Sequence, residues 1–518
     1  MLRAERRLRR DPFEVAVLIV FGLLSCWMLA LDLNYAIGRH LVWTGTDGWY
    51  VPDQMQYLAW IRDAAGHFLA SDMFVLRATP HDYLQPIVVL PAGLTALGVA
   101  PWLGLLLWKP VAVIACFLAV RAYARRSFTE RFERRAMLVL ALFYGSFGVT
   151  GDEWIPFLSW GYPFAVLAIA GLAGTLVVYD RARAGGRFSW LAPALGLFTS
   201  WVHPWQGELL IVTVIGAEAL SWRSERRPRA TLALSAATVG ASIAPLLYYE
   251  ALHHFDAVWR ESGLIHDYPL VALVKPLAPL LVLAALAFPW RPRGFLSAAT
   301  RIWPLAVLAI YWLSRAGLGG APQHAFDGIT IPLAVLAIEG ARRLGLRRIP
   351  GWQVIAVGLV AAAAIPASLS MMRASIQVAK PRLEQSSAFI TRSEQRALAF
   401  LAGDPQRGGV LTGSYLGVLV PAETGRRTYL GSRVWSQPDP AARAEAVARL
   451  FAGRLSPPAA QAFVSATHAR FILASCAPHV DLARMLGGLV VSARRFGCAS
   501  IYEVRPPVHG AHATVPAR

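Results

Sequence analysis

The feature that most constrains this chain is a series of long apolar segments separated by short clusters of arginine. Hydrophobic residues make up 56% of the 518 residues, charged residues only 16%, and the mean hydropathy is +0.46. Such a composition predicts a polytopic membrane protein. The first apolar run covers residues 15–31, and the others lie at 84–98, 101–120, 136–150, 162–178, 188–202, 204–220, 230–249, 269–289, 302–314, 326–340 and 351–370.

The arginine clusters predict how these segments cross the membrane. By the positive-inside rule all six clusters belong in the cytoplasm. Only one of the segments 84–98 and 101–120 can then cross, and two prolines favour 84–98 as a re-entrant or surface piece. About eleven transmembrane helices result, and the chain beyond Met372 emerges outside. The six clusters lie at 1–12, 121–135, 181–187, 223–229, 291–301 and 342–348.

The net charge of +19 would also suit a nucleic-acid-binding protein. Here, however, the arginines alternate with apolar runs, as expected of cytoplasmic loops that touch anionic lipid. We therefore expect membrane lipid as a partner and no nucleic acid. The basic N-terminus followed by residues 15–31 has the charge order of a signal peptide, but the run is long and lacks a small-residue cleavage site. An uncleaved first span is the better interpretation.

From about residue 380 the composition changes to that of a soluble domain. We predict helices at 387–402 and 440–451, and strands at 409–411, 415–420, 471–474 and 501–504. The sequence thus predicts an all-α polytopic membrane domain at 1–372 and a small extracytoplasmic α/β domain at 380–518.

The four cysteines are too few for a disulfide framework. Cys26 and Cys116 lie inside apolar segments and are interpreted as packing residues. Cys476 and Cys498 lie in the tail and can form one bridge if the tail is outside the cell, but the sequence leaves that pairing open.

The predicted outer loops are 32–83, 151–161, 203–204, 250–268 and 315–325, and they hold most of the Asp, His and Trp residues outside the tail. In the first loop, the apolar residues Tyr57, Trp60, Ile61 and Ala64 recur at helical spacing. This pattern predicts a short helix on the membrane surface with Asp53 near its N-terminus.

A second acidic pair, Asp152 and Glu153, follows just past the outer end of a later span. Two crossings separate it from Asp53, so these carboxylates can meet at one surface. Carboxylates at a membrane boundary can act as a general base or hold a divalent cation such as Mg²⁺ or Mn²⁺. The alternative is that they are solvated acids in polar loops.

On these residues the chain resembles the GT-C superfamily of membrane glycosyltransferases, which includes protein mannosyltransferases, aminoarabinose transferases and oligosaccharyltransferases. The matching features are the first span, the acidic outer loop with Asp53 four residues before Tyr57, the pair Asp152 and Glu153, and a soluble tail. The resemblance implies that Asp53 deprotonates an acceptor hydroxyl and that Asp152 or Glu153 assists or binds a metal. It also implies a sugar donor on polyprenyl phosphate or pyrophosphate. The family's second motif is often an acid-x-acid triplet or a lone Asp, whereas the two acids are adjacent here.

A lipid phosphate at headgroup level needs cationic partners. Lys109 and Lys275 each precede a proline inside an apolar segment, where a charge is costly and marks a functional candidate. Snorkelling to the headgroups is the alternative for both. Arg315 precedes a glycine-rich loop that ends at His324, and this segment can hold a phosphate through its guanidinium and backbone amides. The alternative is an ordinary flexible turn.

Aromatic and histidine residues supply further candidates for substrate contact. His203 and Trp205 lie in a tight turn between two spans, where aromatic rings can stack on a sugar or simply form an interfacial belt. The residues predicted to bind substrate are therefore Tyr57, Lys109, His203, Trp205, Lys275, Arg315 and His324. The histidines of the loop 250–268 match no zinc pattern and are interpreted as surface residues.

These features favour an integral-membrane glycosyltransferase that moves a sugar from a polyprenyl-phosphate donor to a glycan, lipid or protein acceptor at the extracytoplasmic face. The alternatives are a transporter or flippase of a lipid-linked sugar, or a non-catalytic subunit of a glycan assembly complex. The sequence has no P-loop, no dinucleotide-binding glycine motif and no nucleophile-elbow motif, so those chemistries lack support.

Overall fold

The structure is a computed structural model that describes residues 11–145, 153–221, 229–262, 268–289, 291–317 and 320–505. Up to residue 378 it is almost entirely helical. The helices of this part are α1 Pro12–Ser25, α2 Trp27–Arg39, α3 Val51–His67, α4 Pro86–Ala96, α5 Pro101–Leu106, α6 Trp108–Ser127, α7 Arg131–Phe143, α8 Ile155–Leu158, α9 Pro163–Ala184, α10 Leu191–Val202, α11 Pro204–Ser221, α12 Arg229–Phe255, α13 Ala257–Glu261, α14 Leu270–Ala287, α15 Phe295–Arg315, α16 Thr330–Arg343 and α17 Trp352–Val378.

Every predicted apolar segment overlaps one of these helices. Within the described residues, six helices are long and apolar enough to cross a bilayer, with α5 and α6 counted as one, as expected of a multi-pass membrane protein. The pair α1 and α2, bent by 41°, makes a seventh if it crosses as one span. α4 and α10 are shorter apolar helices. The total of about eleven crossings stays a prediction.

Ion pairs hold arginines of four of the clusters together at one end of the helical bundle. Glu14 on α1 lies 2.7 Å from Arg121 and 2.9 Å from Arg125, near the end of α6. The other acids that pair with arginines of these clusters are Asp11 with Arg131 and Arg135, Asp180 with Arg126, Glu218 with Arg183, Glu339 with Arg301, and Glu133 with Arg342 and Arg347. These contacts join helices that are far apart in sequence, so described arginines of the clusters 121–135, 181–187, 291–301 and 342–348 share one face.

The first outer loop and the tail lie at the other end. Helix α9 begins beside α3 and has 22 residues, so it carries the chain about 33 Å before the arginine-rich end is reached. Helix α17 runs back over 27 residues and leads into the tail. The bundle therefore separates a basic end from an end that carries α3 and the tail.

Helix α3 was predicted from residues 51–63 and extends to His67. The sequence predicted a helix on the membrane surface, with its apolar face buried and its other face exposed. In the structure both faces are covered. Met55 and Ala59 lie opposite the apolar stripe, yet both are buried as well. The membrane helices α4 and α5 pack on α3 from one side and the tail packs on it from the other, which explains why both faces are covered.

The tail contains helices around a small sheet. Its elements are β2 Phe389–Ile390, α18 Arg392–Gly403, β3 Val410–Leu411, α19 Ser414–Gly417, α20 Leu419–Thr424, α21 Pro440–Phe451, α22 Pro457–Thr467, β4 Phe471–Ala474, α23 Leu482–Leu486, β5 Val490–Phe496 and β6 Ala499–Val504. The sheet order is β3-β4-β6-β5; β3 and β4 are parallel and the other pairs are antiparallel. Strand β2 instead pairs with β1, Val42–Trp43, in the first outer loop.

Most predicted tail elements are present, but the strand predicted at 415–420 is wrong. That stretch forms α19 and α20, whose residues are nearly all buried, and a continuous apolar run does not distinguish a buried strand from a short buried helix. Helix α22 and strand β5 were not predicted. Cys476 and Cys498 form a disulfide; Cys116 is buried, whereas Cys26 is exposed rather than packed. The domain boundary at 372–380 stays a prediction.

Gly340 on α16 offers a test of the helix packing, because a Cβ there would lie 1.9 Å from the carbonyl oxygen of Leu283 on α14. Close helix contacts of this kind depend on small residues. We expect Gly340→Ala to destabilise the protein by about 1–3 kcal/mol through overpacking, measured as a lower melting temperature in detergent. Gly358→Ala on α17, where an added Cβ meets nothing within 4 Å, is the control and should melt like the wild type. Equal melting of both variants would contradict the packing of α16 on α14.

Candidate active site

A buried ion pair fixes the loop that leads into α3. Asp47 contacts the ammonium group of Lys109 on α6, and their residues are 3% and 5% exposed. Lys109 also donates to the carbonyl oxygens of Ser25 and Ser159, at 2.7 Å each. Burial raises the pKa of Asp47, and the neighbouring ammonium opposes this effect. The three protons of Lys109 are thus all directed at protein oxygens.

This arrangement argues against the predicted role of Lys109 as a phosphate ligand. A lysine whose three donors are satisfied inside the protein has none left for a lipid headgroup. Its cost inside an apolar segment is offset by a carboxylate and two carbonyls, rather than by substrate. Lys109 is therefore placed among the residues that hold the site together.

Asp53 lies in the first turn of α3, where the helix dipole favours a negative charge. Its carboxylate oxygen Oδ2 accepts a hydrogen bond of 2.8 Å from the hydroxyl of Tyr162, the residue just before α9. The side chain is only half-buried. Asp53 is thus oriented by the protein and partly exposed.

A row of ring contacts, here called the aromatic wall, runs from the helix of Asp53 into the bundle. Tyr57, one turn after Asp53, packs on Phe164 with ring centres 4.8 Å apart, and Phe164 stacks on His203 at 6.0 Å. Burial and the Asp53 carboxylate both raise the pKa of Tyr57, while its phenol is hydrogen-bonded to Gln85. Tyr57 therefore stays protonated beside the carboxylate.

At the inner end of the aromatic wall, the structure brings together the turn between α10 and α11 and the segment that follows α15. His203 and Trp205, from the turn between α10 and α11, meet His324 with ring centres 5.2 and 4.8 Å away. Asp327 is fully buried, with Oδ2 lying 3.5 Å from His324 Nδ1 and 3.9 Å from His203 Nε2. The amide of Gln206 donates to the carbonyl oxygen of His324 and holds the two segments together. The predicted candidates His203, Trp205 and His324 thus form one cluster.

Three side chains of this cluster could hold a metal ion. His203, His324 and Asp327 offer ligand atoms that all lie within 4.8 Å of one another, and burial lowers the pKa of His203 well below its usual value. Two imidazoles and one carboxylate suit a transition metal better than Mg²⁺. The sequence predicted a different set, made of Asp53, Asp152 and Glu153. Asp152 lies outside the described residues. Glu153 is buried on the segment that leads to Tyr162, and this set stays a prediction.

The remaining predicted cations lie at exposed positions on two helices. Lys275 is exposed on α14. Arg315 is exposed at the end of α15, where it donates to the hydroxyl of Tyr311 at 3.2 Å, and Tyr311 in turn donates to the carbonyl oxygen of Tyr268. His253 and His254 are exposed near the end of α12, consistent with surface histidines.

Sequence reasoning missed Asp47 and Tyr162. A lysine inside an apolar segment requires a buried partner, so Lys109 was the signal that could have led to Asp47. Tyr162 carried no such signal, because a tyrosine at the end of a span is common in membrane proteins.

The ion pair predicts a specific pattern of stability. Lys109→Met leaves the Asp47 carboxyl buried without its partner and should cost about 3 kcal/mol or more. The double variant Asp47→Asn with Lys109→Met removes both charges and should recover much of that loss, measured by melting temperature in detergent. Single and double variants that melt alike would show that the pair does not stabilise the loop.

No family model and no curated protein matches this sequence. Solved structures do match its fold. The oligosaccharyltransferase of Archaeoglobus fulgidus aligns with 12% identity over 90% of this chain and 70% of its own, with a TM-score of 0.54.

Two further solved structures align with it. ArnT from Cupriavidus metallidurans bound to undecaprenyl phosphate aligns with 14% identity over 94% of this chain and 97% of its own, with a TM-score of 0.50. The mycobacterial arabinofuranosyltransferase AftD aligns with 14% identity over 96% of this chain and 42% of its own, with a TM-score of 0.56. All are GT-C glycosyltransferases, so the resemblance drawn from the sequence is confirmed at the level of the fold: the chain has a GT-C fold.

Proposed function

We propose that this protein is a membrane glycosyltransferase that moves a sugar from a polyprenyl-phosphate donor to an acceptor hydroxyl. The observation that carries the proposal is Asp53, a half-exposed carboxylate held by the Tyr162 hydroxyl and joined through an aromatic wall to the cluster of His203, His324 and Asp327. A GT-C fold supports it further, because the three solved structures compared above are glycosyltransferases.

In this proposal Asp53 is the general base. It takes the proton of the acceptor hydroxyl, while the hydroxyl oxygen forms a bond to the anomeric carbon of the sugar. The bond between that carbon and the phosphate oxygen breaks, and the lipid phosphate leaves with the electron pair. Because a phosphate carries the charge readily, no strong general acid is needed; Arg315 and the buried histidine cluster are the groups proposed to stabilise it.

A divalent cation is compatible with this chemistry. The carboxylates of Asp53, Asp152 and Glu153 would hold Mg²⁺ or Mn²⁺, and the ion would neutralise charge on the phosphate.

The polyprenyl donor is proposed from the chemistry of the site and from related folds. One structure with this fold is that of ArnT bound to undecaprenyl phosphate, and another is that of the archaeal oligosaccharyltransferase AglB with a dolichol-phosphate and an inhibitory peptide. For this chain the acceptor is a glycan, a lipid or a protein, and the tail that covers α3 is proposed to take part in recognising it.

We place the reaction at the extracytoplasmic face. The arginine-rich end of the bundle lies about one span away from Asp53, and the positive-inside rule assigns that end to the cytoplasm. The disulfide of the tail between Cys476 and Cys498 supports the same orientation, because such bonds persist in oxidising compartments.

Asp53→Asn tests the chemistry. The amide keeps the shape of the side chain but cannot take a proton, so we expect transfer from a polyprenyl-phosphate sugar to fall by about 10²- to 10⁴-fold while donor binding is retained. Glu250→Gln, an exposed acid near the end of α12, is the matched control and should transfer at the wild-type rate.

A transporter of the same lipid would respond differently, because translocation needs cationic groups and no base. If Asp53→Asn protein in liposomes still moves the lipid-linked sugar across the bilayer, and wild-type protein transfers no sugar, the proposed enzyme is wrong.

Cysteine labelling tests the orientation. In a variant with Cys26 and Cys116 replaced by serine, we expect a membrane-impermeant maleimide to label Cys476 and Cys498 from outside the cell only after reduction. A cysteine placed at exposed Leu344 in the arginine-rich end should be labelled only after the cells are opened. The opposite pattern would put Asp53 in the cytoplasm and refute an extracytoplasmic reaction.

A further inference from the structure

The C-terminal end of α3 carries a second group of potential metal ligands, far along the helix from Asp53. Asp63 and His67 lie one turn apart on the same helical face, and His81 joins them from the loop that follows. The ligand atoms of the three residues lie within 4.8 Å of one another. We propose that Asp63, His67 and His81 bind a zinc-class divalent cation that clips the loop 68–83 onto α3.

The distances fit a tetrahedral ion. His67 Nδ1 lies 3.2 Å from Asp63 Oδ1, and His81 Nε2 lies 3.4 Å from the same oxygen. Bonds of 2.0–2.2 Å to a tetrahedral zinc ion place neighbouring ligand atoms about 3.3–3.5 Å apart. The two nitrogens and the oxygen therefore need little movement to share one ion.

The carboxylate is already oriented for such a role. Asp63 is 8% exposed, and its other oxygen, Oδ2, accepts hydrogen bonds from the backbone N–H and the hydroxyl of Ser71, at 2.7 and 2.8 Å. Outer hydrogen bonds of this kind fix ligating carboxylates in metal sites. They leave Oδ1 directed at the two histidines.

Charge favours a cation at this position. The rings of His67 and His81 stack with centres 4.0 Å apart, so two imidazolium charges there would repel each other. Neutral imidazole and ionised carboxylate are the forms of these side chains that bind a metal ion. To bind through Nδ1, His67 must carry its ring proton on Nε2, and the contact of Nδ1 with the carbonyl oxygen of Asp63, at 3.0 Å, would be exchanged for a bond to the ion. Imidazole and carboxylate together select a zinc-class ion over Ca²⁺ or Mg²⁺.

The loop 68–83 is in direct contact with the tail. Arg427 of the tail donates to the carbonyl oxygens of Asp72 and Arg77 and to the hydroxyls of Ser71 and Thr79. The backbone N–H of Thr428 donates to the carbonyl oxygen of Met73 at 3.0 Å. An ion at Asp63 would therefore fix the loop between the membrane helices and the tail, and its contribution is structural rather than catalytic.

The test uses the full chain in detergent, stripped of metal with a chelator and then titrated with Zn²⁺, or with Co²⁺ for its visible absorption. We expect the wild type to bind one ion at this position, with tetrahedral cobalt bands, and His81→Ala to bind it at least about tenfold more weakly. His253→Ala, an exposed histidine on α12, is the matched control. His324→Ala separates this site from the histidine cluster near Asp53 and should keep the signal.

Hydrogen exchange gives a second measurement that does not depend on an alanine variant that folds poorly. Zinc should slow exchange of the backbone amides of residues 68–83 in the wild type and in His253→Ala, and should not do so in the milder variant His81→Gln. If stripped wild-type protein and His81→Gln take up the same amount of zinc with the same exchange in this loop, the site does not exist.

Discussion

The contact between Lys109 and Asp47 is the constraint on which the candidate site depends. Two charges buried between membrane helices are costly, and they are tolerated here because a carboxylate and two backbone carbonyls surround the ammonium. The same loop is in backbone contact with the segment before α9: a Cβ on Gly48 would lie 2.0 Å from the carbonyl oxygen of Trp160. Asp53 follows this fixed loop and Tyr162 follows Trp160, so one anchored contact places both the carboxylate and its hydrogen-bond donor.

The second constraint is the separation of the two ends of the bundle. Arginines paired with acids occupy one end, and α3 with the tail occupies the other, about the length of α9 away. A lipid-linked substrate must keep its chain in the hydrocarbon region while its phosphate stays at headgroup level. Asp53 lies beside Tyr162 at the start of α9, and this position suits the lipid-linked donor of the proposed function.

The sequence predicted those parts of the structure that repeat or that follow a single helix. Apolar runs revealed the membrane helices, and the spacing in 51–64 revealed α3, because both signals depend on local periodicity. His203, Trp205 and His324 could be predicted only as separate candidates, because their contact depends on how α11 and α15 pack. Asp47 was missed because a short acidic loop looks the same whether it is solvated or buried. The tail stretch 415–420 was misassigned because its burial comes from neighbours distant in sequence, and sequence alone does not reveal them.

Helix α3 joins the two halves of the molecule mechanically. Its N-terminal turn holds Asp53, and its C-terminal half contacts the tail through the guanidinium of Arg62, which donates to the carbonyl oxygen of Ala422 at 2.5 Å. Trp60 packs against Trp435 of the tail, with ring centres 5.2 Å apart. A helix of 17 residues is a stiff rod of about 25 Å, so a displacement at one end is carried to the other. If the tail recognises the acceptor as proposed, α3 connects the site of that recognition to Asp53, two to three turns away.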